Sequence, residues 1–304
     1  MKISDLTVAF IVNQPMESLS IVMQSALRNL SSDLWIWIML LLLLVLPLLY
    51  DALTKSGEIN TTFERYKAKG VRVDAWFALF DLSHVRHMFF IVPFSLMIAS
   101  FLAANFTGLS FVSMDSMPVL VQLITLFVIL DISVYFMHRF QHRNIVAWQF
   151  HKTHHSQKDL TALTSFRKTL LDRFFEISML TIPAFVLSID HTYPFYIYVM
   201  IIAHQLLIHS TLPITFGRLG YIIVPPDFHK LHHSADPQHH YGNYGGALAV
   251  WDHLFGTYLG PTHGPLTFGV HSEEIPESFI KQLFVPLIGI YGLVKQRFFQ
   301  SSIG

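Results

Sequence analysis

The sequence predicts an all-α integral membrane fold, a multi-pass helical bundle, and three observations carry that reading. Of the 304 residues, 52% are hydrophobic and only 13% are charged, against about a quarter charged in soluble domains. The apolar residues gather in uncharged runs of membrane-spanning length. Eight histidines stand in helical register in three groups from the end of the third run onward, and the 18 histidines nearly equal the 20 lysines and arginines.

Taken in order, the first 33 residues hold an early lysine and scattered polar residues, and do not read as a signal peptide. Phe10–Val12 and Leu19–Met23 suit an amphipathic helix on a membrane surface. Leu34–Tyr50 lies between Asp33 and Asp51 and is expected to be a first span, Met88–Met114 to contain a second, and Ser116–Met137, broken only by Asp131, to be a third. Ile177–Ile189 is apolar but 13 residues long, short of a ~30 Å hydrocarbon core at ~1.5 Å per residue. With Thr192–Gly217 it predicts a hairpin dipping into the membrane and turning at Asp190-His191-Thr192-Tyr193-Pro194. Gln282–Val294 suits the interface. The expected organisation is one membrane domain: residues 1–115 with the surface helix and two spans, a core over 116–260, and an interfacial tail over 261–304.

Lysines and arginines fix the expected orientation. Lys55, Arg65, Lys67, Lys69, Arg72 and Arg86 separate spans one and two, and seven more from Arg139 to Arg173 follow span three, whereas Asn105–Met117 has none. Both basic segments, and the histidines with them, are therefore expected on the cytoplasmic side. Zero formal net charge argues against a nucleic-acid partner. The absence of cysteine removes disulfides, thiolate metal sites and cysteine nucleophiles. There are no solenoid-period repeats and no low-complexity segments.

The histidines form three boxes. His138 and His142 are spaced i, i+4 where span three ends, and so share a helix face with Tyr135 and Asp131. His151, His154 and His155 follow with spacing i, i+3, i+4, and His229, His232 and His233 repeat it after Pro225-Pro226. Neutral imidazole offers one lone pair and suits iron, zinc, copper or nickel. Eight imidazoles exceed the needs of one ion, so two ions are expected. His209 is a ninth candidate, since ionisable groups in apolar spans are costly and usually functional. His204 is expected to be structural, and His239 and His240 stand near the third box. Asp131 either hydrogen-bonds the backbone or orients a ligand imidazole.

Asp131-x3-Tyr135-x2-His138-Arg139-x2-His142, His151-x2-His154-His155, His209-Ser210, Pro226-x2-His229-x2-His232-His233, Asn243-Tyr244-Gly245, Trp251-Asp252 and Phe255-Gly256-Thr257 together resemble the fatty acid hydroxylase and sterol desaturase superfamily. Thr211 and Tyr241-Gly242 depart from its usual pattern, which has Asn two residues after the His209 position and an acidic residue before Asn-Tyr-Gly. The resemblance implies a cytoplasm-facing di-iron site with His138, His142, His151, His154, His155, His209, His229, His232 and His233 as ligands, and Asp131 and Asn243 as catalytic residues. It implies two iron ions, replaceable by zinc on purification, dioxygen as co-substrate, and hydroxylation or desaturation of a membrane lipid, fatty acyl chain or sterol. The membrane would be a bacterial inner or plasma membrane, or a eukaryotic endoplasmic reticulum.

Chemistry points the same way. A lipid C–H bond has no acidic proton and no leaving group, so a redox metal must do the hard step. No flavin or nicotinamide fingerprint and no His-Pro-Gly-Gly segment is present, so a separate donor protein of cytochrome b5, ferredoxin or reductase type is expected. A divalent-metal transporter or sensor would spread its ligands at mid-membrane depth. A two-haem carrier would show isolated histidine pairs on facing spans. A zinc hydrolase would need a glutamate base beside the boxes.

Overall fold

The computed structural model describes residues 62–82, 114, 116–187, 189, 192–262 and 264–301, and outside these only positions 41, 42, 45, 46, 97 and 101. The expected surface helix and, apart from those single positions and Met114, the first two spans lie outside the described residues. What is described is helical: α1 (Thr62–Lys67), α2 (Lys69–Leu82), α3 (Val119–Arg143), α4 (Ile145–His155), α5 (Leu170–Val186), α6 (Thr192–His209), α7 (Pro226–His232), α8 (Val250–Leu254) and α9 (Phe279–Ser301). Among the described residues there is no strand, only two isolated bridges, Ile223 with Leu248 and Ser234 with Phe268.

One helix among the described residues is long and apolar enough to cross a membrane. It is α3, with 25 residues and a mean hydropathy of 2.3 over its best window. At ~1.5 Å per residue it spans about 37 Å, more than the hydrocarbon core needs. Leu120, Ile124 and Val128 recur at i, i+4, i+8 and are exposed, so an apolar stripe faces outward. Such a stripe is stable in lipid and costly in water. On α9, Phe284, Ile288 and Tyr291 form a second exposed apolar row, which suits the interfacial role expected for 282–294. The helix itself is longer, running through Ser301.

The hairpin differs in detail from expectation. α5 starts at Leu170, seven residues before the apolar run, because Thr169 and Asp172 form reciprocal hydrogen bonds at its start: Thr169 N and Oγ1 donate to Asp172 Oδ2 at 3.0 and 2.7 Å, and Asp172 N donates to Thr169 Oγ1 at 3.3 Å. α6 starts at Thr192, so the expected turn residues 192–194 are its first turn. Pro194 is tolerated there because the first amides of a helix have no partner to lose.

Two apolar clusters hold the bundle. Val73 and Phe77 of α2 pack with Ala162 and Phe166 of a short 3-10 turn (Ala162–Phe166) and with Ile202 and Leu206 of α6. Leu126 and Leu130 of α3 pack with Met114, Ile189 and Ile197. α3, α5 and α6 thus stand together, and the histidine-bearing ends of α3 and α6 meet the histidines of α4 and α7.

Candidate metal centre

The first two boxes are brought together by one residue. Asn144 ends α3 and starts α4, and its side-chain oxygen accepts from Val146 N and Ala147 N at 3.0 Å each. The chain turns without a loop, and the rings of His138 and His142 meet those of His151 and His155. The third box lies on α7, where Pro226 occupies the first turn and sets the helix start.

The nine histidines separate into two groups. His138, His142, His151, His155 and His232 form one, and His154, His209, His229 and His233 the other; within each, one ring nitrogen per residue lies within 4.8 Å of the rest. Helix geometry explains the division. On α4, positions 151 and 155 share a face and 154 is rotated away. On α7, 229 and 233 share a face and 232 is rotated away. Each triplet therefore gives two ligands to one group and one to the other. His155 and His233 stack at 4.4 Å between ring centroids, joining the groups.

In the five-membered group all five Nε2 atoms are buried and lack a hydrogen-bond partner. Buried polar atoms are nearly always satisfied, so five orphans aimed into one volume call for a common partner with acceptor-seeking charge. His138 Nδ1 donates to Tyr244 O and His232 Nδ1 to Gly242 O, both at 2.9 Å, leaving the Nε2 lone pairs free to ligate.

In the four-membered group, Nε2 atoms face one another at 2.9 to 3.3 Å. His154 and His209 donate their Nδ1 protons to Arg167 O (3.3 Å) and Gln205 O (2.8 Å). Their Nε2 atoms, 3.3 Å apart, thus oppose lone pair to lone pair, a repulsion a shared cation removes. Ligands ~2.1 Å from one ion and about 90–110° apart stand about 3.0–3.4 Å from each other, so the spacing fits an ion. Burial, and then the neighbouring imidazoles, hold His151, His154, His155, His229, His232 and His233 well below the usual histidine range. They are neutral near pH 7, the form that binds metal.

The other motif residues build the frame. Asp131 accepts from Ala247 N (2.9 Å), Leu248 N (3.1 Å) and Trp251 Nε1 (2.8 Å). All three donors belong to the 244–252 segment, and none is an imidazole. Asp252 accepts from Tyr244 N, Gly245 N and Thr257 Oγ1 at 2.7 to 2.8 Å, and Tyr135 OH meets Thr257 Oγ1 at 2.8 Å. Asn243 takes a positive φ of 58°, which Asn tolerates better than most residues. Its side chain donates to Phe228 O and Leu259 O and accepts from Leu259 N. The carbonyls either side of it are those that receive His232 and His138. Asp131 and Asn243 therefore hold the loop that aims two histidines, rather than reaching into the centre.

His204 bonds Val224 O at 3.0 Å, His240 bonds Ala235 O at 3.3 Å, and His253 stacks on Tyr258; none joins either group, nor does His239. Sequence reasoning missed Lys168, Asp172, Arg173, Glu176 and Gln141, which line a cavity of about 110 Å³ reaching His138, His151, His154 and His229. The available signal was three charges flanking a short apolar run on α5. A second cavity of about 430 Å³, lined by Trp148, Arg143, Tyr241, His240 and Glu273, reaches His142, His155 and His232.

Residues 123–257 match the fatty acid hydroxylase family. Over 172 residues, 57% of this chain and 52% of the relative, the sequence is 29% identical to an ornithine lipid hydroxylase of Rhizobium tropici. It is 30% identical over 155 residues to an alkylglycerol monooxygenase of Xenopus tropicalis, covering 50% of this chain and 34% of that protein. It is 31% identical over 146 residues to a fatty acid hydroxylase of a Lecanicillium species, covering 43% and 40%. The chain thus spans about half or less of the curated relatives it matches. No solved structure matches it. Both box groups and their supporting loop, apart from Leu259, fall inside the matched region, so it is the histidine-bearing part of the chain that is similar to the fatty acid hydroxylase family.

Proposed function

We propose that this chain is a membrane enzyme that oxidises a lipid with dioxygen, using two iron ions held by the two histidine groups. The observation that carries the reading is the pairing of five buried, partnerless Nε2 atoms with four more crowded at 2.9 to 3.3 Å. His138, His142, His151, His155 and His232 would hold one ion and His154, His209, His229 and His233 the other. Bound iron would supply the activation of dioxygen needed to break an unactivated C–H bond, which no side chain here can do.

The chain's own residues do the rest. The carbonyls of Gly242, Tyr244, Arg167 and Gln205 fix which ring nitrogen of His232, His138, His154 and His209 carries the proton, and so keep Nε2 available. Asp131, Asn243 and Asp252 hold the loop that carries two of those carbonyls. Leu130, Val134, Met179 and Ile201 give the cavity between α3, α5 and α6 an apolar wall suited to a lipid chain and exclude water from it. The polar cavity at Trp148 and His142 gives a separate approach for an electron donor of cytochrome b5, ferredoxin or reductase type. The reading includes several membrane spans, with both groups on the cytoplasmic side, following the lysine and arginine placement. The relatives are lipid hydroxylases and monooxygenases by name, which supports oxidation of a lipid over zinc hydrolysis or metal transport.

The test is paired aerobic and anaerobic incubation of iron-loaded protein in membranes with a reductant and isotopically labelled dioxygen. Oxidised lipid should form only with dioxygen. Lipid turnover that persists without it would refute the oxygenase reading.

A further inference from the structure

Helix α2 presents two unlike faces. Asp74, Phe77 and Asp81 are buried, and the two carboxylates hold Arg167 and Arg173. The outer face carries Lys69, Arg72, Trp76 and Leu79, at i, i+3, i+7 and i+10, and all four are exposed. It is basic at its start and apolar at its end. Among the described residues neither Lys69 nor Arg72 is ion-paired.

Helix α9 packs beside it. Phe279 meets Phe77 and Phe80 edge-on, at 4.9 and 5.8 Å between ring centroids. The outer face of α9 is apolar: Ile280, Phe284, Leu287 and Tyr291, spaced i, i+4, i+7, i+11, are 52 to 69% exposed. Between the two helices lies an open cleft of about 620 Å³. Lys69, Arg72 and Trp76 line one wall, and Glu277, Phe279 and Ile280 the other.

These features select one kind of partner. Exposed apolar rows on two adjoining helices are costly in water and stable at a bilayer surface, where a tryptophan suits the depth of the headgroups. Two cations against one carboxylate leave the cleft net positive, which favours an anionic headgroup over a zwitterionic one. A nucleic acid or an acidic protein would meet the cations but leave Trp76, Ile280 and Phe284 in water.

Resting on the membrane setting proposed above but not on the reaction, we propose that the cleft between α2 and α9 seats an anionic glycerophospholipid. Its phosphate lies on Lys69 and Arg72, and its glycerol and upper acyl chains lie against Trp76 and Ile280. It is a bound lipid of the membrane and not the one oxidised, since none of the nine histidines lines this cleft. It rests on the outer face of the helix whose inner face holds Arg167.

The experiment uses the full chain in dodecyl maltoside micelles and a photoreactive phosphatidylglycerol with a diazirine near the ester of one acyl chain. After illumination, labelled peptides are mapped by mass spectrometry, with plain phosphatidylglycerol, phosphatidylcholine or inorganic phosphate as competitor. Residues 69–80 or 277–284 should be labelled. Phosphatidylglycerol should compete at about 30-fold lower concentration than phosphatidylcholine, from two basic contacts at about fivefold each, and inorganic phosphate should not compete. Lys69→Gln/Arg72→Gln should abolish the difference between the two lipids, and Lys69→Arg/Arg72→Lys should keep it. Equal competition by both lipids in the parent, competition by inorganic phosphate, or the same phosphatidylglycerol preference at residues 291–298 would overturn the proposal. So would no labelling of either segment, the result for a face covered by another part of the chain. Resistance to carbonate extraction from membranes tests the membrane setting separately.

Discussion

Asp74 lies some fifty residues before the matched domain, yet it sets the position of a box histidine. It is completely buried. Its carboxylate accepts from Arg167 Nε, Gln157 Nε2 and, at 3.2 Å, Thr164 Oγ1. Arg167, also buried, donates to Gly70 O at 2.6 Å and Ser156 Oγ at 3.0 Å, and its carbonyl receives His154 Nδ1. Asp74→Leu would leave a guanidinium in a dry interior without its counter-charge, a loss of about 3–5 kcal/mol. The double variant Asp74→Leu/Arg167→Met removes both charges and should recover most of that, because an apolar pair of similar volume is often neutral. The assay is thermal unfolding of detergent-purified protein with metal content measured in parallel. The single variant should melt well below the parent and lose the ion held by His154 first. A single-variant cost under about 1 kcal/mol, or a double variant no better than the single, would refute the claim that α2 positions the second box through this pair.

Three further outcomes are expected. Asp131→Asn replaces a carboxylate that accepts three hydrogen bonds by an amide that can accept on one oxygen only. It should cost about 2–3 kcal/mol in thermal unfolding, at 1.5–3 kcal/mol per bond to a charged group, and specific activity per folded molecule should change less than stability does. Acidification should release metal and destabilise the protein together. The six box histidines outside α3 and α6 are held well below 6.5 by burial, so below about pH 6.5 the unfolded chain binds protons that the folded one does not and stability falls. A melting temperature flat from pH 7.5 to 5 would contradict this. For topology, the chain has no cysteine, so Lys158→Cys should be labelled from the cytoplasmic side and Ser110→Cys only from the other; the reverse pattern would overturn the orientation.

The boxes were legible in the sequence because helical spacing alone brings His138 to His142 and His151 to His155 onto common faces. Their division into groups of five and four was not. It depends on the rotation of residues 154 and 232 away from their neighbours and on how α4 crosses α7, which is tertiary information. The role of Asp131 was open between backbone and imidazole, and its hydrogen bonds go to the loop at 247–251. The start of α5 was misplaced because hydropathy stops at charged residues while a Thr169–Asp172 capping pair does not. Asp74 and Asp81 were invisible because their partners, Arg167 and Arg173, are about ninety residues away.

The most direct test of the central claim counts metal in protein carrying group-specific changes. The parent, loaded with iron, should hold close to two ions per chain. His209→Ala/His229→Ala should hold one, and His142→Ala/His155→Ala should also hold one, while His204→Ala should still hold two. Parent protein that binds one ion, or stoichiometry that is the same in both group variants and the parent, would contradict a two-metal centre built from these nine histidines.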